Sequence, residues 1–175
     1  ATNIAGDLFF ASTTRDAVSG VPAGTVLGTL DDNGPAVLLR EGDPVPDISG
    51  AELSPFLSSF DIQLNQAATA ALWLPISFPD APVAAAEWAV CRYANNTFTV
   101  LTYSRKHEPL LDNAIIDQTN VAGITDTSAI AYFVAGRSGT DRHEAIVSHA
   151  IDVARVVARR RDPVPDGIAN ETNLR

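Results

Sequence analysis

Three side chains with acid–base chemistry lie close together in the sequence between residues 105 and 112. His107 and Glu108 are adjacent, and Asp112 follows four residues after Glu108. A histidine beside carboxylates can serve as a general base near neutral pH, because its ordinary pKa is about 6.5. If the chain is a small-molecule enzyme, these three residues are the expected catalytic group of a hydrolase-like reaction. No nucleophile motif such as Gly-x-Ser-x-Gly accompanies them, so solvated loop charges are the simpler interpretation.

The sequence does not predict a metal or cofactor site. His143 and His149 flank Glu144 in the manner of a helical zinc motif, but that motif needs histidines four residues apart. Here they are six residues apart, which is about 240° around a helix. The single cysteine, Cys91, excludes an intrachain disulfide and cysteine-based clusters. It lies in an apolar run and is expected to be a buried, unreactive thiol.

The chain is acidic, and its charge is unevenly distributed. It has 175 residues, with 12 basic and 21 acidic side chains. Residues 1–104 carry 11 acidic and 3 basic side chains, a net charge of −8, whereas residues 105–175 carry 10 and 9, a net charge of −1. An acidic surface repels phosphate, so general nucleic-acid binding is not expected.

No part of the sequence predicts attachment to a membrane. No apolar run approaches the roughly 20 residues that a membrane-spanning helix needs. The first residues also lack the basic and apolar segments of a secretory signal. The expected location is therefore a virion or the cytoplasm.

Arginines and prolines concentrate near the C-terminus and form the predicted interaction site. Arginine suits bidentate contacts with carboxylates, such as those on the acidic surface of a neighbouring copy. Prolines restrict the unbound chain, so that docking costs less conformational entropy. Cations at the end of a helix also complement its dipole, which is the simpler interpretation of the arginines. The predicted interaction residues are Arg155, Arg159, Arg160, Arg161, Pro163 and Pro165.

Short strands are the main elements that the sequence predicts. Two β-prone runs, 24–30 and 35–40, flank an Asp-Asp-Asn-Gly turn, and two more, 87–93 and 97–103, flank Ala-Asn-Asn. Both patterns are typical of hairpins. The 87–93 run has apolar residues on both faces, so part of it should be covered on both sides. Pro75, within an apolar run, indicates an edge strand or a bulge.

Residues from about 140 to 161 predict one long helix. Ile146, Val153 and Val157 share an apolar stripe that would face the sheet. Asp141 and Glu144 have the spacing of a capping box. At most one further helix, a short one near residues 54–64, is compatible with the sequence.

The expected fold is therefore β-rich α+β. It is an antiparallel meander or sandwich of about six to eight short strands with one long C-terminal helix. Residues 1–161 would form a single domain and residues 162–175 an extended arm.

The expected function is that of a structural protein: a self-associating subunit of a viral or bacteriophage particle. Its partners would be copies of itself or other particle subunits, and no cofactor is expected. Two alternatives stay open, the small-molecule enzyme described above and a small ligand-binding module. The module would use the aromatic residues Trp73, Trp88, Tyr93 and Tyr103.

Overall fold

The computed structural model describes residues 1–2, 8–20, 22–31, 34–55, 60–80, 87–150 and 153–160. Within these residues the chain forms thirteen strands and one 3₁₀ turn, Pro109–Leu111. The strands are β1 (Leu8–Arg15), β2 (Pro22–Asp31), β3 (Gly34–Arg40), β4 (Glu52–Leu53), β5 (Asp61–Leu64), β6 (Ala70–Ser77), β7 (Glu87–Ala94), β8 (Thr97–Tyr103), β9 (His107–Glu108), β10 (Ala114–Ile124), β11 (Ile130–Ser138), β12 (Asp141–Ala150) and β13 (Val153–Arg159). In the described part of the chain, no helix has the length and apolar character to cross a membrane.

The strands pair antiparallel into three sheets, here called A, B and C. Sheet A has the order β1-β2-β3. Sheet B has the order β4-β6-β7-β8, with β5 also paired to β6. Sheet C has the order β13-β12-β11-β10-β9, so each of its strands pairs with the one before it in the chain.

Sheet B is the middle layer and is buried on both faces. The first core, between sheets A and B, contains Phe9, Leu27, Leu72 and Cys91 among others. The second core, between sheets B and C, contains Ala71, Val90, Tyr132 and Val147 among others. Because successive side chains of a strand point to opposite faces, a strand in the middle layer needs apolar residues on both faces. The prediction that part of the 87–93 run is covered on both sides is confirmed.

The two predicted hairpins are confirmed. β2 and β3 pair as far as Asp31 and Gly34. β7 and β8 pair as far as Ala94 and Thr97, so that the turn consists of two asparagines. Their φ angles are 49° and 59°, the left-handed conformation that a type I′ turn requires at both central positions.

Pro75 lies inside sheet B, so the expectation of an edge strand or bulge is wrong. β6 pairs with β7 on one side. On its other side β5 pairs with residues up to Trp73, and β4 begins at Ile76. Pro75 lies between these two partners, where its missing N–H interrupts no ladder on that side.

The long helix predicted at about 140–161 is wrong, and with it the α+β fold. This segment forms β12 and β13, which are joined as a hairpin, apart from residues 151–152 and 161, which lie outside the described residues. Ala145 and Val147 are buried while their neighbours are not, which is the period of a strand. The segment is rich in β-branched residues, whose side chains lose rotamer freedom in a helix and pack well in a sheet. Gly139, with φ 60°, provides the tight turn from β11 into β12.

The short helix that the sequence allows near residues 54–64 is not present over the residues that the structure describes. Residues 61–64 form β5, and residues 56–59 lie outside the described residues. The predicted arm, 162–175, and three of the predicted interaction residues lie outside them too. These three are Arg161, Pro163 and Pro165.

Cys91 is fully buried in the first core. Burial raises the pKa of its thiol to about 12, because the thiolate would lose its hydration. The thiol therefore stays protonated at neutral pH, as expected for a structural cysteine.

Val147→Asp and Val153→Asp distinguish the strand from the predicted helix. Val147 is fully buried, whereas Val153 is 66% exposed. We expect Val147→Asp to prevent folding, because it places an unpaired carboxylate in the second core. Val153→Asp should change the free energy of unfolding by less than about 1 kcal/mol. Denaturant titration followed by circular dichroism measures both, and the reverse outcome would contradict the strand assignment.

Candidate functional site

The three predicted catalytic residues make separate contacts. The exposed His107 has its Nδ1 3.3 Å from the carbonyl oxygen of Asn113. Glu108 is buried and accepts a hydrogen bond from the N–H of Leu110 at 3.3 Å, which caps the 3₁₀ turn. Asp112 instead contacts residues of β12 and β13. The structure therefore does not bring the three together as an acid–base group.

Asp112 lies beside a polar cleft at one end of sheet C, and it contacts His143 and Arg159 of the cleft lining. Its Oδ2 lies 3.3 Å from Nδ1 of His143 and 3.7 Å from Nη1 of Arg159. Arg159 also donates a hydrogen bond from Nη2 to the carbonyl of Leu110 at 2.9 Å. The cleft has a volume of about 460 Å³. This histidine–carboxylate pair could not be predicted from the sequence, because its members meet only through the pairing of β10 with β11 and of β11 with β12.

Arg142 is the centre of the ion pairs beside this cleft. It donates to Oε1 of Glu144 at 2.8 Å, to Oδ2 of Asp117 at 3.2 Å and to Oε1 of Gln118 at 2.9 Å. Arg160 donates to the same Glu144 oxygen at 3.2 Å. The hydrogen bond from Arg142 lowers the pKa of Glu144, and the same bond raises the pKa of Arg142. Opposite charges thus compensate one another, and the pairs connect β10, β12 and the end of β13.

The polar cleft combines a histidine–carboxylate pair with a hydroxyl group. A histidine next to a carboxylate is the residue combination of a general base. Among the described residues that line the cleft there is neither a serine nor a cysteine, and Thr140 provides the hydroxyl. The charged groups of the cleft are used to hold strand ends together.

The predicted interaction arginines fall into two groups. Arg159 and Arg160 form the ion pairs with Asp112 and Glu144 described above. Arg155 is exposed and lies opposite Ser148 in the ladder. Arg155 is therefore placed on the outer face of sheet C.

The outer surface of β13 is apolar and exposed. Val153 and Val157 are 66% and 60% exposed, and Arg155 lies between them. The register of β12 and β13 shifts between Ile146 and Val147, so that Val157 is a bulged residue beside Ala158, the ladder partner of the half-buried Ile146. We call the four residues Ile146, Val153, Arg155 and Val157 the β13 face. In the described part of the chain, β13 has a neighbouring strand on one side only.

The four predicted aromatic ligand residues lie on opposite faces of sheet B. Tyr93 and Tyr103 pack in the first core. Trp73 packs against the second core and its ring stacks on Trp88. The structure therefore brings the two tryptophans together and separates them from the two tyrosines.

No group of three or more histidine, cysteine, aspartate or glutamate side chains that could hold a metal ion occurs in the described ranges. Comparisons with protein-family models, with curated proteins and with solved structures find no match for this chain.

Arg142→Ala should raise the pKa of Glu144 toward its ordinary value of 4.5. While the pKa is lowered, the carboxylate stabilises the fold above pH 4.5, and this contribution is lost as the pH falls through the lowered value. The free energy of unfolding should therefore fall more steeply on acidification in the unmodified chain than in Arg142→Ala. Carboxyl NMR titration and denaturant unfolding at several pH values measure both effects.

Arg155→Ala is the matched control, because it removes an exposed arginine from the same sheet. It should leave the Glu144 titration unchanged. Equal titration of Glu144 in the unmodified chain and in Arg142→Ala would show that the ion pair does not lower the pKa.

Proposed function

We propose that this protein is a self-associating structural subunit of a viral or bacteriophage particle. The observation that carries the proposal is the β13 face, with two exposed valines on a strand that has one described neighbour. Large exposed apolar side chains on a sheet edge are unusual in proteins that stay monomeric, because such edges pair with other chains. Copies of the chain are the partners proposed for it.

The composition of the β13 face resembles the centre of a protein interface. Interface centres combine apolar side chains with arginine, and they contain little lysine or glutamate. Val153 and Val157 supply the apolar area, and Arg155 between them supplies a cation that can form bidentate contacts. The backbone N–H and C=O groups along the outer edge of β13 add hydrogen bonds if a second strand pairs there.

The layers of the fold separate the charge of the chain. Sheets A and B come from residues 1–104, with a net charge of −8, and sheet C comes from residues 105–175, with a net charge of −1. Arg155 on the β13 face favours contact with acidic side chains of the next copy. Such a contact joins two different surfaces, so it repeats and builds a ring, a shell or a filament.

The test measures the mass of the full chain in solution over a range of concentrations. The same measurement is made on two variants, Val157→Lys and Val37→Lys. We expect the unmodified chain to form multimers that electron microscopy shows as rings, shells or filaments. Val157→Lys should weaken association about thirtyfold or more, as expected for a central interface residue. Val37→Lys is the matched control, because Val37 is 48% exposed on β3, an edge strand of sheet A.

Three outcomes would contradict the proposal. A chain that is monomeric at every concentration does not self-associate. Dissociation by Val37→Lys alone would place the contact on sheet A. Association that stops at a dimer would contradict the proposal that the chain is a particle subunit.

High salt should weaken the multimers, because it screens surface charges.

A further inference from the structure

Trp88 is a large aromatic side chain that belongs to neither core among the described residues. Its ring stacks on that of Trp73, with centroids 3.9 Å apart and an interplanar angle of 14°. Ser104, opposite it on the next strand, fixes its backbone. The N–H of Trp88 donates to Oγ of Ser104 at 3.1 Å, and its carbonyl accepts from the N–H of Ser104 at 2.9 Å. The half-buried indole is therefore held in one place beside a cleft.

This cleft lies between the tryptophan pair and β10. Its volume is about 420 Å³, within the range of roughly 300–1,000 Å³ that is typical of ligand pockets. Asp117, Gln118 and Asn120 also line the cleft and provide carboxylate and amide groups. Oδ2 of Asp117 and Oε1 of Gln118 accept hydrogen bonds from Arg142, so these two oxygens are shared with its guanidinium. We call this cleft the tryptophan cleft.

An irregularity in β10 shapes the polar side of the tryptophan cleft. The register with β11 shifts between Ile116 and Gln118, so that Asp117 is an extra, bulged residue. Gly136 lies across from this bulge, where a Cβ atom would collide with the carbonyl of Ile115. Bulges turn side chains out of the regular alternation, and here the bulged residue, Asp117, lines the cleft.

The tryptophan pair also includes a hydrogen-bond donor. Nε1 of Trp73 is buried and has no hydrogen-bond partner among the described residues. Buried polar groups are usually satisfied, so a shift of the indole that brings this N–H to a ligand hydroxyl would be favourable.

We infer that the tryptophan cleft binds a neutral sugar residue, with one face of the sugar ring on Trp88 and its hydroxyls on the β10 side chains. A pyranose has C–H groups on its face, which suit the negative face of an indole, and hydroxyls around its rim. The carboxylate and amides are the acceptors and donors that such hydroxyls need. A nucleotide fits less well, because the chain's net charge of −9 repels phosphate.

The two tryptophans allow this inference to be tested on the full chain. The sequence contains two tryptophans, so the ¹H–¹⁵N NMR spectrum has two indole N–H signals, both from the cleft. The probes are the methyl glycosides of glucose, galactose, mannose and N-acetylglucosamine, each added separately. We expect at least one of them to move both signals saturably, with a dissociation constant on the order of 1 mM.

Asn120→Ala tests whether the sugar is in the cleft. Asn120 is exposed, so its replacement should leave the fold intact. We expect about tenfold weaker binding of the glycoside, from the loss of its hydrogen bond. Gln66→Ala is the matched control, because Gln66 is also an exposed amide but lies in the turn before β6. It should bind as the unmodified chain does.

Three results would overturn the inference. The first is the absence of saturable shifts with every glycoside up to about 100 mM. The second is binding that is equal in Asn120→Ala and the unmodified chain, which would place the sugar elsewhere. The third is movement of the indole signals by adenosine monophosphate but by none of the glycosides, which would assign the cleft to a nucleobase. β10 and β13 are separated by two strands, so none of these results depends on self-association.

Discussion

The burial of sheet B on both faces is the constraint on which the rest of the structure depends. Its strands carry apolar residues on both faces, and their alternate residues must fit two different cores. Leu72 and Cys91 pack toward sheet A, while Ala71 and Val90 pack toward sheet C. The small residues of one face allow β10 to cross close above β6 and β7. Where this packing ends, at Trp73 and Trp88, the second core opens into the tryptophan cleft.

Sheet C differs from sheet B, because one of its faces packs and the other does not. Its inner residues close the second core, and its outer residues leave the β13 face uncovered by any described part of the chain. The ion pairs of Arg142 and Arg159 hold its strand ends together at the polar cleft. The least acidic layer thus lies on the outside of the molecule with its free edge exposed. This arrangement connects the fold to the proposed assembly.

The hairpins and the double burial of the 87–93 run could be predicted from the sequence, because turn chemistry and alternation are local. The error at 140–161 had a physical cause. Ile146, Val153 and Val157 are compatible with a helical stripe, and only the alternation of buried Ala145 and Val147, together with many β-branched residues, favours a strand. The pairing of His143 with Asp112 depends on sheet order, and that of Trp73 with Trp88 on strand register. Neither is visible in a single sequence.

Amide hydrogen exchange of β13, measured at low and high protein concentration, tests whether copies of the chain meet at this strand. If they do, the amides of β13 become more protected as the concentration rises, because a partner then covers the strand edge. Exchange of β3, the edge strand of sheet A, should stay the same. Exchange of β13 that is independent of concentration, in a sample whose mass shows association, would contradict the account.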